Sequence, residues 1–302
     1  MANRYIFHRD ETEDDLFEHL HRVYRPGFLD GMQHVLARGL GERLARVLVG
    51  APGEPPVRIL DAGCGEGLQL HEVAATLEQR GVPAEAMSGD APLVQLEGVD
   101  LNASAIETAR ARAATSTPPR PYLRFRVHDL SRPFEGTYDL IYVHFVAGHI
   151  PGARACLERW YRALRPGGFL FLTDAVLREG DDGWRAPHPL LQPFLSFATE
   201  HLVGINAGIV AEEAAGWFGT LGAEVVRREH GRAPIGGTDE PGRAGFRLAQ
   251  ITAEGLAPLL VAAGRMTPVE VEASLASLAR VPAAEASGQS SFIATTVRRP
   301  CA

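Results

Sequence analysis

Lysine is absent. All 30 basic residues in this 302-residue chain are arginine. That excludes lysine Schiff-base chemistry and the lysine of a phosphate-binding P-loop. Cysteine is scarce. Cys64, Cys156 and Cys301 offer no disulfide framework and no C-x-x-C pair for zinc, so no metal is expected. No apolar run approaches the length of a membrane-spanning helix. The stretch Met1 to Glu18 is polar and acidic and lacks the apolar segment of an export signal, so a cytoplasmic protein is expected. Positive charge is in deficit: 37 acidic residues leave a formal net charge of -7. That argues against a surface built to neutralise phosphates, although a local basic groove can sit inside an acidic total.

What is present is ordinary for a globular chain, with 45% hydrophobic and 22% charged residues. The length suits one large α/β domain, or one domain with a helical insert. Residues 11–48 read as helical, with Pro26-Gly27 breaking the run and a second helix over 29–48. The acidic run from Asp10 to Asp15 reads as a solvated helix start. Apolar strand patterns follow at Val57–Asp61, Val94–Asp100, Tyr122–His128, Tyr138–Phe145 and Phe169–Thr173. Helical patterns lie between them at 68–80, 104–114 and 153–164. Such alternation with short connections implies a parallel sheet covered by helices on both faces.

After Asp174 the rhythm changes. Residues 178–193 read as a loop, 194–201 and 209–221 as helices, and Ala223–Arg228 as a sixth strand. Residues 231–245 read as a Gly/Pro/Arg loop, followed by helices at about 247–263 and 268–280 and a last strand at Ser291–Val297. Thr267, Pro268 and Glu270 form a capping arrangement at the start of the second of these helices. The expected fold is therefore α/β: a doubly wound, mostly parallel, seven-stranded sheet. Residues 1–50 form an N-terminal helical extension to a domain over 51–302. Within that domain, segments at about 178–222 and 245–285 would cap the substrate, the second as a helical lid.

The chemical signal is Asp61-Ala62-Gly63-Cys64-Gly65-Glu66-Gly67. A buried strand ends there and turns sharply into a helix. Glycines remove the β-carbons that would keep a ligand off the main chain. The ligand then sits at strand C-termini, near a helix N-terminus. The dinucleotide fingerprint needs its third glycine at position 68, which is Leu68, so a nicotinamide fold is disfavoured. Asp100 closes the second strand, where a carboxylate can accept from a ribose diol.

These segments resemble the class I S-adenosylmethionine-dependent methyltransferases, and within them the small-molecule branch similar to the ubiquinone and menaquinone biosynthesis enzymes. Residues 61–67 look like the family's first motif and 98–102 like its second. Val127-His128-Asp129-Leu130 looks like the third. Tyr138 to Tyr142 and the turn at 164–169 look like the fourth and fifth strands. The resemblance implies S-adenosyl-L-methionine as cofactor and S-adenosyl-L-homocysteine as product. It implies a cofactor set of Asp61, Gly63, Cys64, Gly65, Gly67, Asp100, Leu101, Asp129, Leu130, His144, Phe145 and His149. In that set Asp61 faces the ammonium, Asp100 the ribose and Asp129 the adenine amino group.

Methyl transfer is an in-line displacement, so the protein mainly aligns the reactants and excludes water. A carbon or oxygen acceptor needs a base, and an amine only has to arrive neutral. His144, at the end of the fourth strand, is the candidate base; packing or capping is its other reading. Tyr24, Phe28, Asp174, Trp184, His188, Phe197 and His201 are candidate substrate contacts, each with a structural alternative. The expected partner is a small, partly apolar substrate, with secondary metabolism as one setting, and neither nucleic acid nor membrane. A homo-oligomer is allowed. The competing reading keeps the cofactor but catalyses a cyclisation or rearrangement.

Overall fold

The computed structural model describes residues 13–203 and 207–301. In chain order the elements are α1 (Glu13–Val35), α2 (Gly41–Leu48), β1 (Val57–Ala62), α3 (Leu68–Gln79), α4 (Ala84–Met87), β2 (Val94–Asp100), α5 (Ala103–Thr115), β3 (Leu123–Val127), β4 (Tyr138–His144), α6 (Ala153–Arg162), β5 (Leu164–Ala175), α7 (Gln192–Val203), α8 (Ala207–Gly219), β6 (Glu224–Ile235), α9 (Glu240–Ala262), α10 (Pro268–Leu278) and β7 (Gly288–Arg298). The acidic run at Asp10 to Asp15 begins outside the described residues.

The strands form one seven-stranded sheet in the order β3-β2-β1-β4-β5-β7-β6. Pairing is parallel from β3 through β5, and β7 joins antiparallel to both β5 and β6. The expected doubly wound, mostly parallel sheet is therefore the observed one. The winding reverses between β1 and β4. Both strands end at the edge where such a fold opens a crevice.

Burial on both faces explains the near-continuous apolar reading of the central strands; every residue of β4 is buried. One face packs Phe28, Met32, Val35 and Leu44 from α1 and α2, with Leu70 and Val73 from α3, against Ile59, Leu140, Tyr142 and Phe171. The other packs Trp160 and Leu157 from α6 and Phe218 from α8 against Leu60, Ile141 and Leu170. A third cluster joins α7, α9 and α10 through Phe194, Phe246, Leu256 and Leu278.

Several boundaries differ from the sequence expectation. α1 runs unbroken through Pro26. The real bend lies ten residues later, at Leu36–Leu40, where Gly39 takes φ +139°. A single-turn helix, α4, stands between α3 and β2, where no helical pattern is read. The stretch read as a loop at 231–245 continues β6 to Ile235 and opens α9 at Glu240, capped by Asp239. The capping box of Thr267 and Glu270 forms as expected.

Candidate active site

The turn after β1 is bound to β2 from the start. The N–H groups of Gly63 and Cys64 both donate to the Val99 carbonyl, at 2.8 and 3.0 Å. Two glycines carry the geometry. Gly63 has φ +87°, and a β-carbon there would meet Val146 Cγ2 at 2.4 Å. Gly65 has φ +49°, and a β-carbon there would meet the ring of Phe17, from α1, at 2.7 Å. Side chains are thus excluded by conformation and by space.

Asp100 fastens this turn. Its Oδ2 accepts from the Gly65 N–H at 2.9 Å and its Oδ1 from the Asn102 N–H at 2.9 Å. Asn102 in turn caps α5 by accepting from the N–H groups of Ser104 and Ala105. Beside it Leu101 is 65% exposed, an apolar side chain on an otherwise polar rim. Just past β3, Asp129 is part-exposed and accepts from the Ser131 N–H at 2.9 Å; the Ser131 side chain, and after it that backbone bond, hold its carboxyl below the ordinary range. Leu130 is buried, and its carbonyl accepts from Trp160 Nε1 at 3.2 Å.

Asp61 is only 1% exposed, and its Oδ2 has no hydrogen-bond partner within the described residues. Burial pushes its carboxyl well above the usual range; the approach of the Tyr142 hydroxyl opposes this, and the Asp100 charge adds to it. Strand register sets these groups side by side: Asp61 pairs with Tyr142, and His144 with Thr173. The Tyr142 hydroxyl, both His144 ring nitrogens and the Thr173 hydroxyl are buried without partners within the described residues. One sheet face therefore carries a line of unsatisfied polar groups from the glycine turn to the end of β5. Such groups are costly unless something meets them.

His144 is 7% exposed and enclosed by aromatic rings. Ring centroids lie 4.7 Å away for Phe145, 5.4 Å for Phe28 and 6.4 Å for Tyr24. Burial, with a smaller contribution from His21, lowers its pKa to about 3, so the ring is neutral near pH 7. Phe145 takes the left-handed φ of +56°, a conformation that side chains rarely adopt and that is concentrated at functional sites. His149 is also lowered, to about 4, by burial.

Asp174 turns its carboxylate to the backbone. It accepts from the N–H groups of Gly148 at 2.7 Å and Ala175 at 2.9 Å, clamping the turn after β4 onto β5. Burial raises its pKa to about 7, against the pull of those two bonds. Tyr24 donates to Ser290 Oγ at 2.9 Å, and Phe28 lies in the core against Tyr142, His144 and Phe171. Trp184 and His188 make their bonds around α7: Trp184 donates to Thr199, and His188 caps the turn before the helix. Phe197 packs on the α7 cluster. The side chain of His201 lies outside the described residues.

Sequence reasoning passed over Phe17, Tyr142, Thr173 and Ser290. Tyr142 was accessible as the i−2 neighbour of His144 on one strand face. Thr173 and Ser290 become neighbours only through strand register and helix packing.

A doubly wound sheet, a bare glycine turn and an acidic residue closing β2 are the features that the resemblance to the class I S-adenosylmethionine-dependent methyltransferases led one to expect. Residues 60–170 match the family described as methyltransferase domain. It is similar to the ubiquinone biosynthesis O-methyltransferase of Xanthomonas campestris pv. campestris (strain B100), 29% identical over 119 residues, covering 39% of this chain and 43% of that protein. The enzyme of the same name from Vibrio parahaemolyticus is 26% identical over 131 residues, covering 43% and 49%. The chain thus spans less than half the length of these curated relatives. A Bacillus halodurans methyltransferase candidate of known structure shares the fold, with TM-score 0.50 and 16% identity over 85% of this chain and 98% of that one.

Proposed function

We propose that the chain binds S-adenosyl-L-methionine at the glycine turn and transfers its methyl group to a small, partly apolar molecule in the cytoplasm. The observation that carries this reading is the buried Asp61, whose Oδ2 lacks a partner beside a backbone stripped of side chains. An ammonium supplies both the missing donor and the missing counter-charge. Gly63 and Gly65 would carry the amino-acid end of the cofactor, Asp100 the ribose diol, Leu101 one face of the adenine and Asp129 its amino group. When bound, the cofactor supplies an electrophilic methyl on a sulfonium.

The remaining work falls to the protein. Tyr24, Phe28 and Phe145 form apolar walls and exclude water around His144. His144 is proposed as the base that takes a proton from an oxygen or carbon acceptor. Thr173 and Tyr142 offer hydroxyls on the same sheet face to orient that acceptor. Asp174 acts behind them by holding the turn at 147–149 in place. Among the described residues, no helix is long and apolar enough to cross a membrane, and no group of three or more His, Cys, Asp or Glu side chains is arranged to hold a metal.

Calorimetric titration with S-adenosyl-L-methionine and S-adenosyl-L-homocysteine tests the site. Binding of both is expected, and absence of heat with either overturns the reading. Release of S-adenosyl-L-homocysteine in step with loss of an acceptor tests the reaction; acceptor conversion without that release points instead to a cyclisation or rearrangement. His144→Ala is expected to lower turnover more than cofactor affinity. An equal fall in both would make His144 structural.

A further inference from the structure

The glycine turn is bare of its own side chains but not uncovered. The ring of Phe17 rests on Gly65, close enough that a single added β-carbon would meet ring atoms at 2.7, 2.9 and 3.3 Å. This is the backbone on which the cofactor reading lays an amino-acid group, and a phenyl ring and a ligand cannot both touch it.

The way α1 is held differs along its length. Beyond Pro26 it is anchored by apolar packing. Phe28, Met32 and Val35 are buried in the main core, and Gly27 and Gly31 sit directly on Phe292 and Phe171. Val23 and Tyr24 extend that anchor by burying against Ala244 of α9 and Phe292 of β7. The turns that carry Phe17 have less of this packing, with Leu20 only partly buried against the same cluster, and are held in addition by polar and charged pairs. Glu18 lies 3.9 Å from Arg112, which pairs with the buried Glu66 at 2.8 Å. His21 lies 3.4 Å from Glu72, which also binds Arg25 at 2.6 Å. Glu66 and Glu72 flank the turn itself, the first directly after Gly65 and the second in the second turn of α3. Pairs of this partly exposed kind are weak and screened by salt.

We propose that Phe17 is the gate of the cofactor site: its ring closes the Gly65 cradle, and the first turns of α1 swing it away to admit the ligand, with the pairs to Arg112 and Glu72 as the latch. The gate rests on the cofactor reading above. The closed state lowers the fraction of molecules competent to bind, and apparent affinity and association rate fall with that fraction. S-adenosyl-L-homocysteine carries no net charge near pH 7. Salt therefore acts on the latch far more than on the ligand's approach.

The test is surface plasmon resonance of the full chain with S-adenosyl-L-homocysteine. Phe17→Ala is expected to raise the association rate about threefold or more. Phe17→Leu, which keeps an apolar helical side chain with a shorter reach, should move it in the same direction by less. In the wild type the rate should climb as salt is raised, and Glu72→Gln should flatten that climb. Circular dichroism melts establish that the variants are folded. Unchanged or slower association in both Phe17 variants, with a salt-independent wild-type rate, overturns the gate and leaves the cofactor site standing. Slower association with weaker final affinity makes Phe17 a wall of the bound site, which also overturns it. Failure of the wild type itself to bind overturns the cofactor reading, and the gate with it.

Discussion

Asp100 does two jobs with one carboxylate, and they can be separated. It holds the glycine turn through Gly65 and the α5 cap through Asn102. In the proposed function it also takes the ribose diol. Asp100→Ala removes both and is expected to weaken cofactor affinity by about 1–3 kcal/mol, the range for charge-assisted hydrogen bonds, and to lower the melting temperature as well. Asp100→Asn keeps one acceptor oxygen, so it should recover much of the stability and less of the affinity. Calorimetry and a thermal melt on the two variants check this. Equal affinity in wild type and both variants would remove Asp100 from the ligand site. The glycines and Asp100 were legible in the sequence because spacing along one chain defines them. The unsatisfied line of Asp61, Tyr142, His144 and Thr173 was not, because it joins three strands through register. The position of His144 at a strand end could be read, whereas its enclosure by rings from α1 could not.

Elements were read well where one pattern dominates and badly where a neighbour overrides it. β1 through β5 are buried on both faces and show it as apolar runs. Pro26 looked like a helix break, since it offers no N–H to the turn before it. α1 continues because packing on both sides of that turn outweighs one missing bond. Gly27 and Gly31 bring the helix into contact with Phe292 and Phe171. β6 was cut short in the sequence because its second half, from Glu229 to Ile235, contains Gly231 and Pro234. Pro234 is tolerated on an edge strand, and Gly231 leaves room for the Phe292 ring, which a β-carbon would meet at 2.0 Å. A paired substitution tests this account of α1. Gly216 in α8 has nothing within 4 Å of a built β-carbon, so Gly216→Ala should stabilise by about 0.5–1 kcal/mol through helix propensity alone. Gly31→Ala gains the same propensity but drives a β-carbon to 2.3 Å from the buried Phe171 ring. Overpacking costs about 1–3 kcal/mol, so the net effect should be destabilising. Chemical denaturation that shows both variants gaining stability would mean α1 is not seated on the sheet as described.

At the scale of the whole molecule, buried titratable groups on the site face and around it make stability depend on pH, with opposing signs. His71 and His149 are lowered to about 4 and His144 to about 3, chiefly by burial. Between about pH 5 and 6 the unfolded chain protonates all three and the folded chain does not, so acidification favours unfolding. Asp174, raised to about 7, and Asp61, raised well above its usual range, act the other way. In that window the folded state holds the Asp174 proton that the unfolded chain has released, and the upward shift of Asp61 works in the same direction. The lowered histidines outnumber the raised carboxyls, so stability should fall on acidification through this window. His34 and His128, also lowered by burial, shift in the same direction as the other histidines and add to the fall. Asp174→Asn removes an opposing proton and should steepen the fall, whereas His149→Gln should make it shallower. Urea unfolding at a series of pH values reads all three slopes. The outcome that sinks the account is a wild type whose stability rises on acidification from pH 6 to 5, because the imidazoles on the site face would then be charged and solvated in the folded state. His144 would no longer be the neutral ring that the proposed chemistry requires.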